Sequence, residues 1–171
     1  MTAFRFIHCS DLHIDSPFKG LASQVPSLTE RLRESTFQAF HKIVQLALEE
    51  KVDAVLIAGD IFDGADRSLQ AQLKFRRGLQ ELSQEGIPSF IVHGNHDPSN
   101  SWSHTLDWPE GTTIFPSNRV ERFPVTREGE TLAWIYGISY PQKEVNENLA
   151  LKFNKDQEQG FAVGLQHANV G

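Results

Sequence analysis

The stretch Asp53–Asp63, "DAVLIAGDIFD", decides how this 171-residue chain folds. Its core, Ala54–Ala58, is an unbroken apolar run with no polar residue between. A strand with one wet face alternates apolar and polar side chains, whereas an unbroken run fits a strand covered on both faces. Gly59 ends the run, and two carboxylates, Asp60 and Asp63, follow at once.

The neighbours of this strand have another period. From about Ser27 to Lys51, Phe37, Phe40, Val44, Ala47 and Leu48 recur at three- and four-residue steps, which predicts an amphipathic helix. Residues 68–85 repeat the pattern through Leu69, Leu73, Leu79 and Leu82, and Gly86 with Pro88 ends it. Strands are expected on either side, "FRFIH" at 4–8 and "PSFIV" at 88–92. The β-α-β-α-β order implies parallel strands joined by right-handed crossovers. Further on, "RVERFPVTREGETLAWIYGISY" at 119–140 reads as a hairpin turning at Arg127-Glu128-Gly129-Glu130. A helical or irregular piece is expected at 142–156, then a last strand in "GFAVGLQHANVG", ending at a histidine.

Length and composition suit one α/β domain with a real core. Apolar residues are 39% and charged residues 22%, which argues against disorder and fibres. No apolar run approaches the roughly 18 residues of a membrane span, and the start "MTAFRFIHCSD" does not resemble a signal peptide. The single cysteine, Cys9, excludes an internal disulfide framework and predicts a reducing, cytoplasmic setting, with Cys9 a buried inert thiol. The net charge of −6 does not advertise a nucleic-acid binder, but carboxylates gathered for metals count in that sum while the metals do not. Lys74, Arg76 and Arg77 are expected on a solvated helix face.

In open α/β sheets, ligands bind at the carboxyl ends of the strands. Here each strand ends in groups that ligate metals: Asp11 and His13 in "SDLHID", Asp60 and Asp63 in "GDIFDGAD", Asn95, His96 and Asp97 in "GNHD", and His167 after the last strand. Oxygen donors mixed with imidazole suit Mn²⁺, Fe²⁺ or Zn²⁺ better than Ca²⁺ or Mg²⁺. Asp60, with two oxygens, can bridge two ions, and such a pair can activate water and clamp a phosphate. Polar loop residues also cap helices, so Asp15 competes between capping and metal contact, and Asp66 reads as a loop residue. His8 and His93 are expected to pack or to support the ligands, His41 to sit on a helix, and His104 is open to a substrate contact.

The order D-x-H, G-D-x-x-D, G-N-H-D and a strand-end histidine resembles the calcineurin-like metallophosphoesterases. "FIHCSDLHIDSPFKGL", "VHGNHDPSN" and "LQHANVG" are similar to their DNA-repair exonuclease branch. The resemblance implies an α/β/β/α sandwich over 1–171, truncated at its C-terminus. It implies that Asp11 and His13 hold one metal, Asn95 and His167 the other, and Asp60 both, with Mn²⁺ first among the candidates and Fe²⁺, Zn²⁺ or Mg²⁺ behind it. It makes His96 the group that stabilises the transition state or protonates the leaving oxygen, with Asp97 orienting it. The nucleophile would be an activated hydroxide, the substrate DNA, and the partners a coiled-coil ATPase and a second copy of the chain.

One feature departs from the pattern. Members complete the site with a later G-H-x-H, and none of the seven histidines follows His167. The chain is therefore expected to be the N-terminal part of a longer enzyme, inactive and weak in metal binding by itself. Two other readings compete: a phosphoesterase for small molecules or proteins, which the acidic composition favours, and a non-catalytic interaction module with a degenerate site.

Overall fold

The computed structural model describes residues 3–18, 26–64, 68–98, 106–155 and 160–168. Asp66 and His104 lie outside them. Four parallel strands form the first sheet in the order β1-β2-β3-β4: β1 Phe6–Cys9, β2 Ala54–Ala58, β3 Ser89–Val92 and β4 Thr112–Ile114. Helices α1 (Pro26–Glu49) and α2 (Leu69–Gln84) make the crossovers β1–β2 and β2–β3. The expected β-α-β-α-β order is present, with ends displaced by one or two residues. β4 was not expected: "TTI" is short, and its place comes from backbone bonds such as Phe115 N–H to Ile91 O rather than from an apolar run.

Strand periodicity explains the layering. Val55, Ile57 and Ile91 face one way and pack with Phe40, Val44, Phe75, Leu79 and Leu82 of the helices. Ala54, Leu56, Ala58, Phe90 and Val92 face the other way and meet Val125, Ala133, Ile135 and Leu165 of a second sheet. β2 therefore has no wet face, and all five of its residues are buried. Cys9 packs against the helix-side core, where burial pushes its thiol up to about 12.

The second sheet runs β5 (Glu121–Arg127), β6 (Glu130–Gly137) and β7 (Phe161–Leu165). β5 and β6 pair antiparallel across Glu128-Gly129, whose φ values of 52° and 83° are both left-handed, as a two-residue turn matched to strand twist requires. β7 pairs parallel with β6. The irregular piece contains one 3-10 turn, Leu149–Lys152. Ser139 joins the sheets: its hydroxyl accepts from His93 N–H at 2.9 Å and donates to Phe115 O at 2.6 Å. The described residues thus supply helix, sheet and sheet layers of the expected sandwich, and among them no helix is long and apolar enough to cross a membrane.

α2 begins at Ser68, whose side chain accepts from Ala71 N–H, and ends where Gly86, at φ 72°, lets Ile87 N–H reach Leu82 O. The helices touch closely at Gly78, where an added Cβ would stand 2.5 Å from a ring carbon of buried Phe40. Gly78→Ala is expected to force the helices apart and to lower stability by about 1–3 kcal/mol despite its better helix propensity. Denaturant unfolding of the two forms measures this; an unchanged or raised midpoint would show that the helix pair is loosely packed.

Candidate metal centre

The carboxyl ends of β1, β2, β3 and β7 meet at one corner, and every sequence-predicted donor is there. The backbone brings them together. After β1 the chain continues to bond with the end of β2: Asp11 N–H to Gly59 O, His13 N–H to Asp60 O and Ile14 N–H to Ile61 O, at 3.1, 3.0 and 2.8 Å. Asp11, His13 and Asp60 all take left-handed φ, 54°, 41° and 52°, which non-glycine residues adopt only when their surroundings enforce it. Gly59 (φ 77°) and Gly94 let two loops cross: an added Cβ on Gly59 would lie 2.7 Å from Gly94 Cα.

Asp60 is the centre, 3% exposed. One of its oxygens accepts from His96 N–H at 2.9 Å; the other lies 3.5 Å from His167 Nε2. On one side, ligand atoms of Asp11, His13 and Asp60 all lie within 4.8 Å of one another. On the other side, His167 Nδ1 is 2.9 Å from Ala58 O, which can only accept, so Nδ1 carries a proton and, in the neutral ring, Nε2 presents a lone pair. That lone pair faces Asn95 Oδ1 at 2.9 Å and Asp60 Oδ2. With the imidazole neutral, these three atoms are acceptors with no proton among them, and a buried carboxylate is costly unless a cation neutralises it. The residues therefore fit divalent cations: Asp11, His13 and Asp60 would hold one, Asn95, His167 and Asp60 another.

The structure corrects one role. Asp97 does not orient His96. It is fully buried and its oxygens accept from the backbone N–H groups of Asp60 (3.1 Å), Ile61 (2.8 Å), Phe62 (3.4 Å) and Gly94 (2.9 Å). Burial pushes its carboxyl up to about 6, the nearby Asp60 charge adds to this, and the backbone donors oppose it. The reason for the difference is burial: Asp97 is enclosed among backbone N–H groups, whereas the His96 side chain is exposed.

The carboxylate at His96 is Asp63, 3.2 Å from Nδ1. The same oxygen lies 2.7 Å from His13 Nδ1, and the two imidazole rings stand edge to face at 5.1 Å. Burial alone would raise the Asp63 carboxyl; hydrogen bonds from Ser16 and His13 and the neighbouring imidazoles outweigh it and hold the group below the usual carboxylate range. The spacing G-D-x-x-D singled out Asp63 without a role; what it touches depends on the cross-loop fold. His96 itself is exposed at the mouth of the site.

The remaining candidates fall elsewhere. His8 is exposed on β1, His41 is exposed on α1, and His93 is buried beneath the loop with its N–H on Ser139. Lys74 pairs with Glu34 and stacks on Phe37, Arg76 donates to Asp107 O, and Arg77 pairs with Glu81, as a solvated helix face would have it. Asp15 turns away from the donors toward Arg33 and Ser68.

Two substitutions test this geometry. An added Cβ on Gly94 would stand 2.1 Å from Asp60 Oδ1 and 2.6 Å from Asp60 N. Gly94→Ala should therefore weaken divalent-metal binding by about tenfold or more, read by calorimetric titration; unchanged affinity would mean Asp60 is not the shared ligand. Asp97→Asn places an amide N–H against backbone N–H groups and should cost about 1–3 kcal/mol of unfolding free energy, measured in denaturant.

The chain is similar to known proteins over the stretch that builds this corner. Residues 4–171 match the family described as calcineurin-like phosphoesterase. It is 36% identical over 170 residues to the uncharacterized metallophosphoesterase YhaO of Bacillus subtilis, covering 99% of this chain and 42% of that protein. The DNA double-strand break repair protein Mre11 of Aeropyrum pernix is 32% identical over 102 residues, 60% of this chain and 23% of the relative. The D component of the nuclease SbcCD of Bacillus subtilis is 27% identical over 157 residues, 88% and 38%. The chain spans less than half the length of these relatives. With the donor residues gathered at the strand ends and the match running through them, the chain belongs to the calcineurin-like phosphoesterase family.

Proposed function

We propose that the whole protein containing this chain is a divalent-metal-dependent phosphodiester hydrolase that removes nucleotides from DNA ends. The observation that supports the chemistry is the pair of acceptor corners sharing buried Asp60 beneath exposed His96. The DNA substrate rests on similarity to a break-repair protein and a nuclease component, both named as such. One relative is named as a subunit of a nuclease; a coiled-coil ATPase and a second copy of the chain are proposed as partners from the motif resemblance, and the single cysteine suits a cytoplasmic setting.

Two divalent cations, Mn²⁺ first, would supply positive charge for the phosphate and an activated water. The chain's own residues do the rest. Asp63 lies 3.2 Å from His96 Nδ1, and His96 stands exposed at the mouth to donate a proton to the leaving oxygen. The same carboxylate fixes His13 by Nδ1 and keeps Nε2 available to a cation. Ala58 O does this for His167. Asp97 holds the loops that carry Asp60 and Asn95 at a constant separation.

A phosphoesterase for small molecules is the second reading, favoured by the net charge of −6. Assay of the whole protein with Mn²⁺ on end-labelled duplex and single-stranded DNA, beside an aryl phosphodiester, separates the two. The DNA reading expects nucleotide release, reduced by about 10²–10⁴ in His96→Ala with metal binding kept; cleavage of the aryl ester with DNA untouched would sink it. Among the described residues each ion would have three protein donors, one of them shared, so the 171-residue chain by itself is expected to bind Mn²⁺ weakly. Two tightly bound Mn²⁺ per chain in a calorimetric titration would overturn that expectation.

A further inference from the structure

The metal-bearing loop has a second attachment, on the side away from β2. Asp15 is a buried carboxylate, its side chain 2% exposed, and none of its partners belongs to the donor cluster. Arg33 of α1 places Nε at 2.8 Å and Nη2 at 2.6 Å from Oδ1. Ser68, the N-cap of α2, donates its hydroxyl to Oδ2 at 2.5 Å. The Asp15 N–H donates to Thr36 Oγ1 at 3.0 Å. One residue thus ties the loop to both helices.

A buried ion pair is weak evidence for stability, since its desolvation cost rivals its attraction. Its position is more informative. Asp11, His13 and Asp15 alternate along the loop, and all three have left-handed φ; Asp15 is at 65°. Such a run relaxes unless it is held from more than one direction. The β2 edge holds it through the His13 and Ile14 N–H groups. The opposite hold is Asp15, two residues beyond His13.

We propose that Asp15 is a positioning residue: with Arg33 and Ser68 it braces the loop against the helix pair and fixes His13 at its corner of the metal centre. The inference rests on the reading that His13 faces a cation, and it does not depend on what the enzyme cleaves. The expected result is selective. In the whole protein, Asp15→Ala should raise the Mn²⁺ dissociation constant of one ion by about 10–100-fold, the range for losing a ligand's supporting contact, and leave the other ion, held through Asn95 and His167, within about twofold. Arg33→Ala should shift the same ion in the same direction. Leu82→Ala, a core truncation remote from the loop, lowers stability without this split and serves as the control.

Hydrogen exchange gives a readout that needs no metal. The His13 and Ile14 amides should exchange at least about tenfold faster in Asp15→Ala than in the parent, while amides of β2 and β3 keep their rates. Should Asp15→Ala fail to fold, Asp15→Asn keeps an acceptor for Ser68 and should show the same pattern at smaller size. Equal weakening of both ions, no weakening of either, the same split in Leu82→Ala, or unchanged His13 and Ile14 exchange would each overturn the brace. A protein that shows the split but leaves DNA intact would overturn the nuclease reading alone.

Discussion

The arrangement of this corner depends on one buried carboxylate whose hydrogen bonds go to backbone N–H groups. Asp97 accepts backbone N–H groups from Asp60, Ile61, Phe62 and Gly94, and so binds the loop after β2 to the loop after β3. Both loops leave adjacent parallel strands, and in such a pair nothing in the ladder itself fixes how the chain departs from the strand ends. A fully buried anion that must collect donors does fix it. Once the two loops are held, Asp60 and Asn95 have a set separation, and His167 closes the third side from the second sheet.

A second constraint acts on backbone shape. The loop after β1 and the residue after Gly59 adopt left-handed conformations at aspartates and a histidine, where glycine would be unstrained. Side chains are needed at those positions, so the local cost is borne by hydrogen bonds around them: the continued ladder to Gly59, Asp60 and Ile61, and the bonds from Asp15 to the helices. The α/β core serves as the rigid body to which these bonds are anchored. Its tight points, such as the Phe40 ring against Gly78, keep the two helices from sliding under the loop.

Much of this was legible in the residues. The unbroken run Ala54–Ala58 predicted a strand covered on both faces, and the helical periods on either side predicted the crossovers, because burial of apolar area dominates both choices. That Asp11, His13, Asp60, Asn95 and His167 gather at one corner was legible, because strand ends restrict place. β4 was not, since three residues of modest hydrophobicity carry no period. That Asp63 rather than Asp97 lies against His96 was not either: both are aspartates near a strand end, and which one meets His96 is decided by the turn of the loop. Asp15 likewise read as a cap or a ligand, because its partners lie 18 and 53 positions along the chain.

The convergence of acceptors around Asp60 has a consequence for how such a protein changes under selection. With His167 neutral, its Nε2 opposes Asn95 Oδ1 and Asp60 Oδ2, and Asp60 and the nearby Asp11 sit in strained backbone. In the absence of a bound cation, many replacements here relieve either repulsion or strain, so the corner is a local weak point in an otherwise well-packed fold. A library screened only for thermal resistance would drift toward glycine and asparagine at positions 11, 13 and 60 and toward a hydrogen-bond donor at 167. It would return a sturdier sandwich without its cluster of metal-ligating side chains.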